Sequence, residues 1–211
     1  MRKQETPCPE KSKKLRILAA SDLHGESKLA QALSKKAEKE NVDLVILCGD
    51  TTSIIETSNI IKPFKDRKQK ILIIPGNHES FATVDMIAQL YGIKNLHGYS
   101  AVYKDVGIFG AGGADIGISG VTDKQMLKTL KKAHSGLRGI EKKIMITHMH
   151  PEGGASEIAC WRGSKAIKQA VKLFKPQFLL HGHIHETFGL ENKIGNTRVI
   201  NVGRDGKIIE I

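Results

Sequence analysis

Five short segments of the chain carry side chains that can ligate metal ions or bind phosphate. Each segment places a carboxylate, amide or imidazole group beside a glycine or a threonine. The segments are Ser21-Asp22-Leu23-His24-Gly25, Gly49-Asp50, Gly76-Asn77-His78-Glu79, Thr147-His148 and Gly182-His183-Ile184-His185. Oxygen and imidazole ligands without a thiolate suit first-row divalent metals such as Mn, Fe, Co, Ni or Zn.

The spacing within these segments favours shared ligation. Alternate residues of an extended chain point the same way, so Asp22 and His24 can reach one cation, as can His183 and His185. The candidate metal ligands are Asp22, His24, Asp50, Asn77, His148, His183 and His185. This set is larger than one tetrahedral site requires, and it fits two metal ions that share a carboxylate and keep positions open for water and substrate.

Each segment follows or closes a short apolar run that predicts a β-strand. The predicted strands are Leu15–Ala20, Leu44–Cys48, Ile71–Ile74, Val106–Phe109, Lys143–Thr147, Phe178–His181, Arg198–Val202 and Ile208–Ile211. Several are apolar throughout, which is typical of strands covered on both faces. Helical periodicity lies between them, with Ser27, Thr122 and Ser164 as expected N-caps. This alternation predicts an α/β layered domain, in which ligands bind at the carboxyl ends of the strands.

Length and composition limit the possible classes of protein. The 211 residues, 40% of them hydrophobic and 26% charged, favour one soluble globular domain over residues 15–211. Residues 1–14 are polar and lysine-rich, and we expect them to form a loose basic tail. The apolar runs are far shorter than the roughly 20 residues of a membrane span, so no membrane association is expected.

Charge and cysteine content indicate anionic partners and a reducing compartment. The 33 basic and 22 acidic residues give a net charge of +11, which favours phosphorylated ligands or nucleic acid, unless the lysines only form solvated helix faces. The three cysteines, Cys8, Cys48 and Cys160, form neither a disulfide framework nor a CxxC pair. No apolar stretch follows the basic N-terminus as in a secretory signal, and we therefore expect a cytoplasmic protein.

The five segments together resemble the pattern of one protein family. Their order, D-x-H, GD, GNH[D/E], H and GHxH, is that of the calcineurin-like metallophosphoesterases, and the resemblance extends from residue 15 to about residue 203. It implies a four-layer αββα sandwich with two central mixed sheets. It also implies two divalent transition-metal ions, manganese first, with iron, nickel, cobalt or zinc as alternatives.

The resemblance implies a role for each candidate residue. One metal ion would be held by Asp22, His24, Asp50 and His185, and the other by Asp50, Asn77, His148 and His183. Asp50 would bridge the two ions and, with His78, form the catalytic pair. His78 would face the phosphate, where it would stabilise charge or protonate the leaving oxygen.

The expected function is a dinuclear metal-dependent phosphodiesterase. Two cations about 3.5–4 Å apart hold phosphate oxygens and acidify a bound water, whose hydroxide attacks phosphorus. A phosphomonoesterase or nuclease of the same fold is the nearest alternative. A non-catalytic scaffold or nucleic-acid-binding member is the other, and metal analysis separates it from an enzyme.

Substrate contacts are expected in the loop of residues 151–163. Trp161 lies next to Arg162, and this pair could stack on a base and hold a phosphate, or the ring could instead pack beneath the loop. His150 lies two residues after His148 and is a third candidate substrate contact. The expected partner is a phosphate ester, with nucleotides and nucleic acid as candidates.

Overall fold

The computed structural model describes residues 14–53 and 59–211 of the chain. The predicted tail, residues 1–14, therefore lies outside the described residues except for Lys14. The strands in the described part are β1 (Arg16–Ala20), β2 (Leu44–Leu47), β3 (Ile71–Ile73), β4 (Lys94–Asn95), β5 (Ser100–Tyr103), β6 (Val106–Ala111), β7 (Lys142–Thr147), β8 (Phe178–His181), β9 (Glu191–Ile194), β10 (Thr197–Asn201) and β11 (Lys207–Glu210). The α-helices there are α1 (Ser27–Lys39), α2 (Lys62–Asp66), α3 (Phe81–Tyr91), α4 (Asp123–Ser135) and α5 (Lys165–Phe174).

The strands form two mixed sheets. The first has the order β11-β1-β2-β3-β4, in which β1 to β4 are parallel and β11 is antiparallel to β1. The second has the order β5-β6-β7-β8-β10-β9, with parallel strands β6, β7, β8 and β10 between the antiparallel edges β5 and β9. In both sheets the parallel strands share one direction, and their carboxyl ends lie at one edge.

Three buried apolar layers join these elements. The layer between the sheets includes Ile17, Ile46, Leu72, Ile108, Ile146 and Leu180. A second layer joins the first sheet to its helices and includes Leu33, Phe64 and Ile87. The third joins the other sheet to α4 and α5 and includes Leu130, Ile167 and Phe174. The predicted α/β sandwich with two mixed sheets and helices on both outer faces is thereby confirmed.

Most element ends agree with the sequence pattern, and one helix start does not. All eight predicted strands are present, with β4, β5 and β9 in addition. Thr122 and Ser164 are N-caps as predicted. The prediction for Ser27 is wrong, because Glu26 is the N-cap of α1 and Ser27 is already helical. The turn closed by the Glu26 amide on the Leu23 carbonyl starts the helix one residue earlier.

Cysteines and helix lengths add two observations. Cys48 is buried and Cys160 is exposed, both as free thiols, while Cys8 lies outside the described residues. Within residues 14–53 and 59–211, none of the helices is both long and apolar enough to cross a membrane.

The cap of α5 also links two helices and can be tested. Ser164 Oγ accepts the Ile167 amide at 3.1 Å and donates to Asp123 at the start of α4. We expect Ser164→Ala to lower the free energy of unfolding by about 1–2 kcal/mol, measured by urea denaturation. The control is Ser135→Ala, which removes an exposed hydroxyl bonded to the Lys132 carbonyl. Equal stability of the two variants would contradict this account.

Candidate metal centre

The sheet order brings the five sequence segments to one edge of the sandwich. Asp22, Asp50 and Asn77 follow the neighbouring parallel strands β1, β2 and β3. His148 and His183 follow β7 and β8, which are neighbours in the second sheet. The carboxyl ends of parallel strands are the usual binding edge of α/β sheets. Both sheets therefore contribute to a single group of side chains.

Left-handed backbone turns the chain sharply after three of these strands. Asp22, His24, Asp50 and His183 have φ angles of 59°, 48°, 49° and 73°. For a residue other than glycine this conformation costs about 1–3 kcal/mol and persists only where the surroundings enforce it. Strain of this kind clusters at functional sites, and here it falls on four of the predicted metal ligands.

Two glycines allow the loops to approach each other closely. A Cβ on Gly76 would lie 1.9 Å from Asp50 Oδ1, and one on Gly182 would lie 2.0 Å from Ser21 Oγ. Neither position has room for a side chain. The glycines of the GNH and GHxH segments are therefore required for the carboxylates to reach the centre.

The first ligand cluster contains Asp22, His24 and His185. One potential ligand atom from each residue lies within 4.8 Å of the others. His185 Nε2 is 3.4 Å from Asp22 Oδ1 and 3.4 Å from His24 Nε2. Asp22 is fully buried, and its Oδ1 has no hydrogen-bond partner among the described residues. A buried carboxylate oxygen that has no hydrogen-bond partner and lies beside two imidazoles is well placed to bind a cation.

The second cluster contains Asp22, Asp50 and His148 and is deeply buried. His148 Nδ1 donates to the Cys48 carbonyl at 2.9 Å, which directs Nε2 toward the loops. That Nε2 lies 2.9 Å from Asn77 Oδ1 and 3.3 Å from Asp50 Oδ2. A backbone acceptor on the far nitrogen is how proteins usually fix the orientation of a metal-ligating histidine.

Asp50 faces side chains from both clusters. Its Oδ2 lies 3.9 Å from the Nε2 atoms of His24 and His78, in addition to its contact with His148. Its Oδ1 accepts the His78 amide at 2.9 Å. Position and contacts are those expected of a bridging carboxylate.

His183 and His78 lie beside the clusters. The His183 ring is 5.0 Å from the His148 ring, edge to face, and its amide donates to Asp22 Oδ2. The side chain of His78 is 57% exposed, and its ring meets that of His24 at 5.1 Å. An exposed imidazole over a buried carboxylate is accessible to a bound substrate.

The charges of this centre are strongly coupled. Burial acts to raise the pKa of Asp50, but the hydrogen bond and positive charge of His148 outweigh it, so the pKa lies well below its ordinary value. Burial likewise opposes the contacts of Asp22 with His185 and His148, yet the net pKa of Asp22 is also lowered. Burial acts to lower the pKa of His148, but Asp50 raises it to about 9. Burial lowers the pKa of His183 to about 4, so its imidazole is neutral and free to ligate.

The donor set fits divalent transition metals. Two ionised carboxylates and several imidazoles converge within a few ångströms, and one carboxylate oxygen has no other partner among the described residues. Asn77 and Asp50 supply hard oxygen atoms, whereas the histidines select first-row ions over magnesium or calcium. The residues present therefore fit the metal site that the sequence pattern predicts.

Glu79 organises the loops, a role that the sequence analysis did not assign. Its buried carboxylate accepts the amides of Thr51, Thr52 and Gly76 and the Thr52 hydroxyl, at 2.8 to 3.3 Å. It thus ties the loop after Asp50 to the loop that carries Asn77. Position four of the GNH[D/E] motif was the available signal, since a carboxylate three residues after a glycine can reach back to its amide.

The three predicted substrate contacts occupy different places. Trp161 lines an open cavity of about 230 Å³, the inner cavity, together with Asn77, His78, Ile116, His183 and His185. Arg162 does not line the inner cavity; it is exposed and lies 3.6 Å from Glu152. His150 is buried, and its Nε2 donates to the Trp161 carbonyl at 3.1 Å. The structure thus puts Trp161 beside the candidate metal ligands, whereas His150 is buried and does not line the inner cavity.

Comparison with known proteins identifies the family of this chain. The sequence model of the calcineurin-like phosphoesterases matches residues 15–187. The chain belongs to this family. Its members are generally hydrolases of phosphate esters that use divalent metals. A search of curated proteins gives no match.

Solved structures share the family fold at low sequence identity. The protein TT1561 of Thermus thermophilus is 18% identical, with a TM-score of 0.75 over 92% of this chain and 91% of that one. A dimetal phosphatase from Danio rerio is 12% identical, with a TM-score of 0.66 over 90% and 87%. A structure described as a novel archaeal phosphodiesterase is 18% identical, with a TM-score of 0.53 over 93% and 98%. These similarities establish the fold.

The role of Glu79 gives a test of loop positioning. Glu79→Gln keeps the size of the side chain but points amide hydrogens at backbone donors. We expect a loss of about 2 kcal/mol in the free energy of unfolding and a 10- to 100-fold loss of metal affinity. Denaturation and metal titration measure the two effects, with exposed Glu141→Gln as the matched control. Unchanged metal affinity would show that the loops hold their positions without this carboxylate.

The pKa of His148 gives a second test. Because Asp50 raises this pKa to about 9, a cation that binds Nε2 at neutral pH must displace a proton. We expect release of about one proton per chain and a metal affinity that rises with pH until the pH passes this pKa. Calorimetry in buffers of different ionisation enthalpy measures the release. A binding heat that is the same in all buffers would refute the linkage.

Proposed function

We propose that this protein is a dinuclear metal-dependent phosphodiesterase. The observation that carries the proposal is the convergence of two clusters of carboxylate oxygens and imidazole nitrogens beside an open cavity, which Asp50 and His185 of these clusters line. One ion would be held by Asp22, His24, Asp50 and His185, and the other by Asp50, Asn77, His148 and His183. Manganese is the first candidate metal.

The residues of this chain have distinct roles in the proposed reaction. When bound, the two ions polarise the phosphate oxygens and lower the pKa of a bound water to about 7. Asp50 faces side chains of both clusters, and its low pKa keeps its carboxylate ionised, so that it would bridge the two ions. His78, exposed above Asp50, donates a proton to the leaving oxygen as the bond from phosphorus to that oxygen breaks. The water oxygen forms the new bond to phosphorus, so the phosphodiester and water give a phosphomonoester and an alcohol.

The lining of the inner cavity favours a compact substrate over a nucleic acid. None of the described residues that line it is a lysine or an arginine, and Glu186 adds a negative charge. Nucleic-acid binding depends on neutralisation of many phosphates by such side chains. We therefore favour a small phosphodiester as the substrate over the nuclease and nucleic-acid-binding alternatives. We also propose that the protein acts in the cytoplasm.

Restored metal dependence is the experiment that tests the proposal. The protein is stripped with a chelator, and manganese, nickel, cobalt, zinc and magnesium are added back singly. We expect one of these ions to restore hydrolysis of methyl p-nitrophenyl phosphate more than that of the monoester p-nitrophenyl phosphate. A preference for the monoester would favour a phosphomonoesterase. Two bound metals without turnover of either ester would contradict the proposed activity on simple esters.

Two substitutions separate metal binding from catalysis. Asp50→Asn removes the bridging charge, and we expect both metal and turnover to be lost. His78→Gln leaves the proposed ligands in place, and we expect full metal content with kcat lowered about 100-fold or more. Metal analysis and steady-state kinetics measure both effects. Normal activity in Asp50→Asn, or metal loss in His78→Gln, would overturn the assigned roles.

A further inference from the structure

A cavity lined by lysines lies at the edge of the sandwich opposite to the candidate metal ligands. This basic cavity has a volume of about 410 Å³, within the range of about 300–1,000 Å³ that is usual for small-ligand sites. Its lining includes Lys65, Lys68, Lys70, Lys94 and Tyr103. Lys70 directly precedes β3, Lys94 begins β4, and Tyr103 pairs with the first residue of β6. These positions are at the amino ends of the parallel strands, and the basic cavity shares no lining residue with the inner cavity.

The charge of the basic cavity is of one sign. None of the described residues that line it has a carboxylate side chain, and none of its four lysines forms an ion pair with an acidic residue in the described part of the chain. Cations beside the cavity are paired, Lys62 with Asp66 at 2.8 Å and Arg67 with Glu38 at 3.3 Å. A concave surface lined by one sign of charge focuses the electric field and attracts ions of the opposite sign. The basic cavity therefore attracts anions.

A tight turn after α2 brings three of the four lysines together. The Lys68 amide donates to the Lys65 carbonyl at 2.8 Å, and the Gln69 amide donates to the Phe64 carbonyl at 3.0 Å. Phe64 is fully buried, and Gln69 Nε2 donates to a carbonyl of α1 at 2.8 Å, so the turn is attached to the core and to a second helix. Lys68 has a φ angle of 55°, which is uncommon for residues other than glycine. The turn thus holds this part of the lining in place before a ligand binds.

The remaining lining adds open space and a neutral hydroxyl group. Gly92 ends α3 with a φ angle of 59°, and a Cβ there would meet no atom of a non-neighbouring residue within 4 Å. Tyr103 is half-buried, and Lys70 Nζ lies 6.0 Å from the centre of its ring. Burial raises the pKa of Tyr103, so its hydroxyl keeps its proton at neutral pH and can donate a hydrogen bond to an anion. The basic cavity thus combines four cations with a neutral donor.

We propose that the basic cavity binds an oligophosphate, a chain of two or three linked phosphate groups, without a metal ion. A lysine ammonium group binds phosphate as a point charge, whereas an arginine selects planar, bidentate partners. Lysines without an arginine among the described lining residues therefore suit a flexible chain of phosphates. A single phosphate carries at most about two negative charges at neutral pH, which is fewer than the four positive charges of the lining.

Two kinds of ligand supply this chemistry. Inorganic tripolyphosphate is a free phosphate chain, and a nucleoside triphosphate carries the same chain on a sugar. The binding assays below distinguish them. The inference does not depend on the proposed phosphodiesterase function, because the cavity is separate from the candidate metal ligands.

Protection of lysines from acetylation locates the ligand. The full chain is stripped of metal with a chelator and dialysed into metal-free buffer, so that no cation holds phosphate at the candidate metal ligands. Sulfo-NHS acetate then labels accessible lysines, and mass spectrometry measures the rate at each one. With tripolyphosphate at ten times its Kd, about one-tenth of the protein is free. We therefore expect labelling of the four lysines of the basic cavity to slow by up to about tenfold.

The lysines of α4 are the internal control for this measurement. Lys124 and Lys128 are exposed and lie outside the basic cavity, so we expect their labelling rates to stay unchanged. Equal protection of these two lysines would show a general attraction by the net charge and would overturn the proposal. Absence of protection at the lysines of the basic cavity would overturn it as well.

A matched pair of double variants tests the contribution of the lining. Lys65→Gln/Lys94→Gln removes two charges from the basic cavity, and Lys124→Gln/Lys128→Gln removes two charges from α4. All four side chains are exposed, so both variants should fold, which thermal melting checks. In calorimetric titrations with tripolyphosphate we expect the first variant to bind about tenfold more weakly, roughly threefold per lost ion pair, and the second to bind as the parent does. Equal affinities of the two variants would overturn the proposal.

Three ligands identify the source of the phosphate chain. Orthophosphate, tripolyphosphate and adenosine triphosphate are titrated in the same metal-free buffer. We expect tripolyphosphate to bind about tenfold or more tightly than orthophosphate, because it pairs with more of the lysines. Orthophosphate that binds as tightly as tripolyphosphate would overturn the assignment to a phosphate chain. Tighter binding of adenosine triphosphate than of tripolyphosphate would support a nucleotide as the ligand, and the reverse order would support an inorganic one.

Discussion

The burial of two carboxylates side by side is the constraint on which the centre depends. Asp22 is 0% and Asp50 is 1% exposed, so neither charge is stabilised by bulk water. Burial and mutual repulsion both favour the protonated forms. Imidazoles and backbone amides reverse this preference, with His148 and the His78 amide on Asp50 and with His185 and the His183 amide on Asp22. Negative charge is thereby kept where the proposed metal ions would bind.

The relative position of the two sheets decides whether these contacts exist. Asp22 and Asp50 come from the first sheet, whereas His148 and His185 follow strands of the second. The apolar layer between the sheets fixes their separation, because close-packed interiors do not deform continuously. We therefore expect a substitution in that layer, far from the candidate ligands, to change ligand distances as well as stability.

The sequence predicts the elements that depend on a local pattern of residues. It misses the features that depend on contacts between distant parts of the chain. Buried strands are visible as apolar runs, and Thr122 caps α4 through its neighbour Gln125. Strand β9, Glu191–Ile194, is missed because an edge strand with exposed residues has no apolar run. Glu79 is missed as an organiser because its partners Thr51 and Thr52 are about thirty residues away in the chain. The cavity of about 500 Å³ lined by Asp115, Met126, Met149 and Lys165 forms between four separate segments, and no local pattern records it.

The distribution of positive charge indicates that bound cations, rather than lysine or arginine side chains, would neutralise the phosphate of the proposed substrate. The net charge of +11 includes exposed lysines on α4 and α5, such as Lys131 and Lys172, but none of the described residues lining the inner cavity is basic apart from histidine. Screening by salt weakens the field of such distant surface charges. The carboxylates would repel a phosphate that approached them alone. In the proposed reaction, cations held at the clusters would therefore contribute to substrate binding as well as to the chemical step.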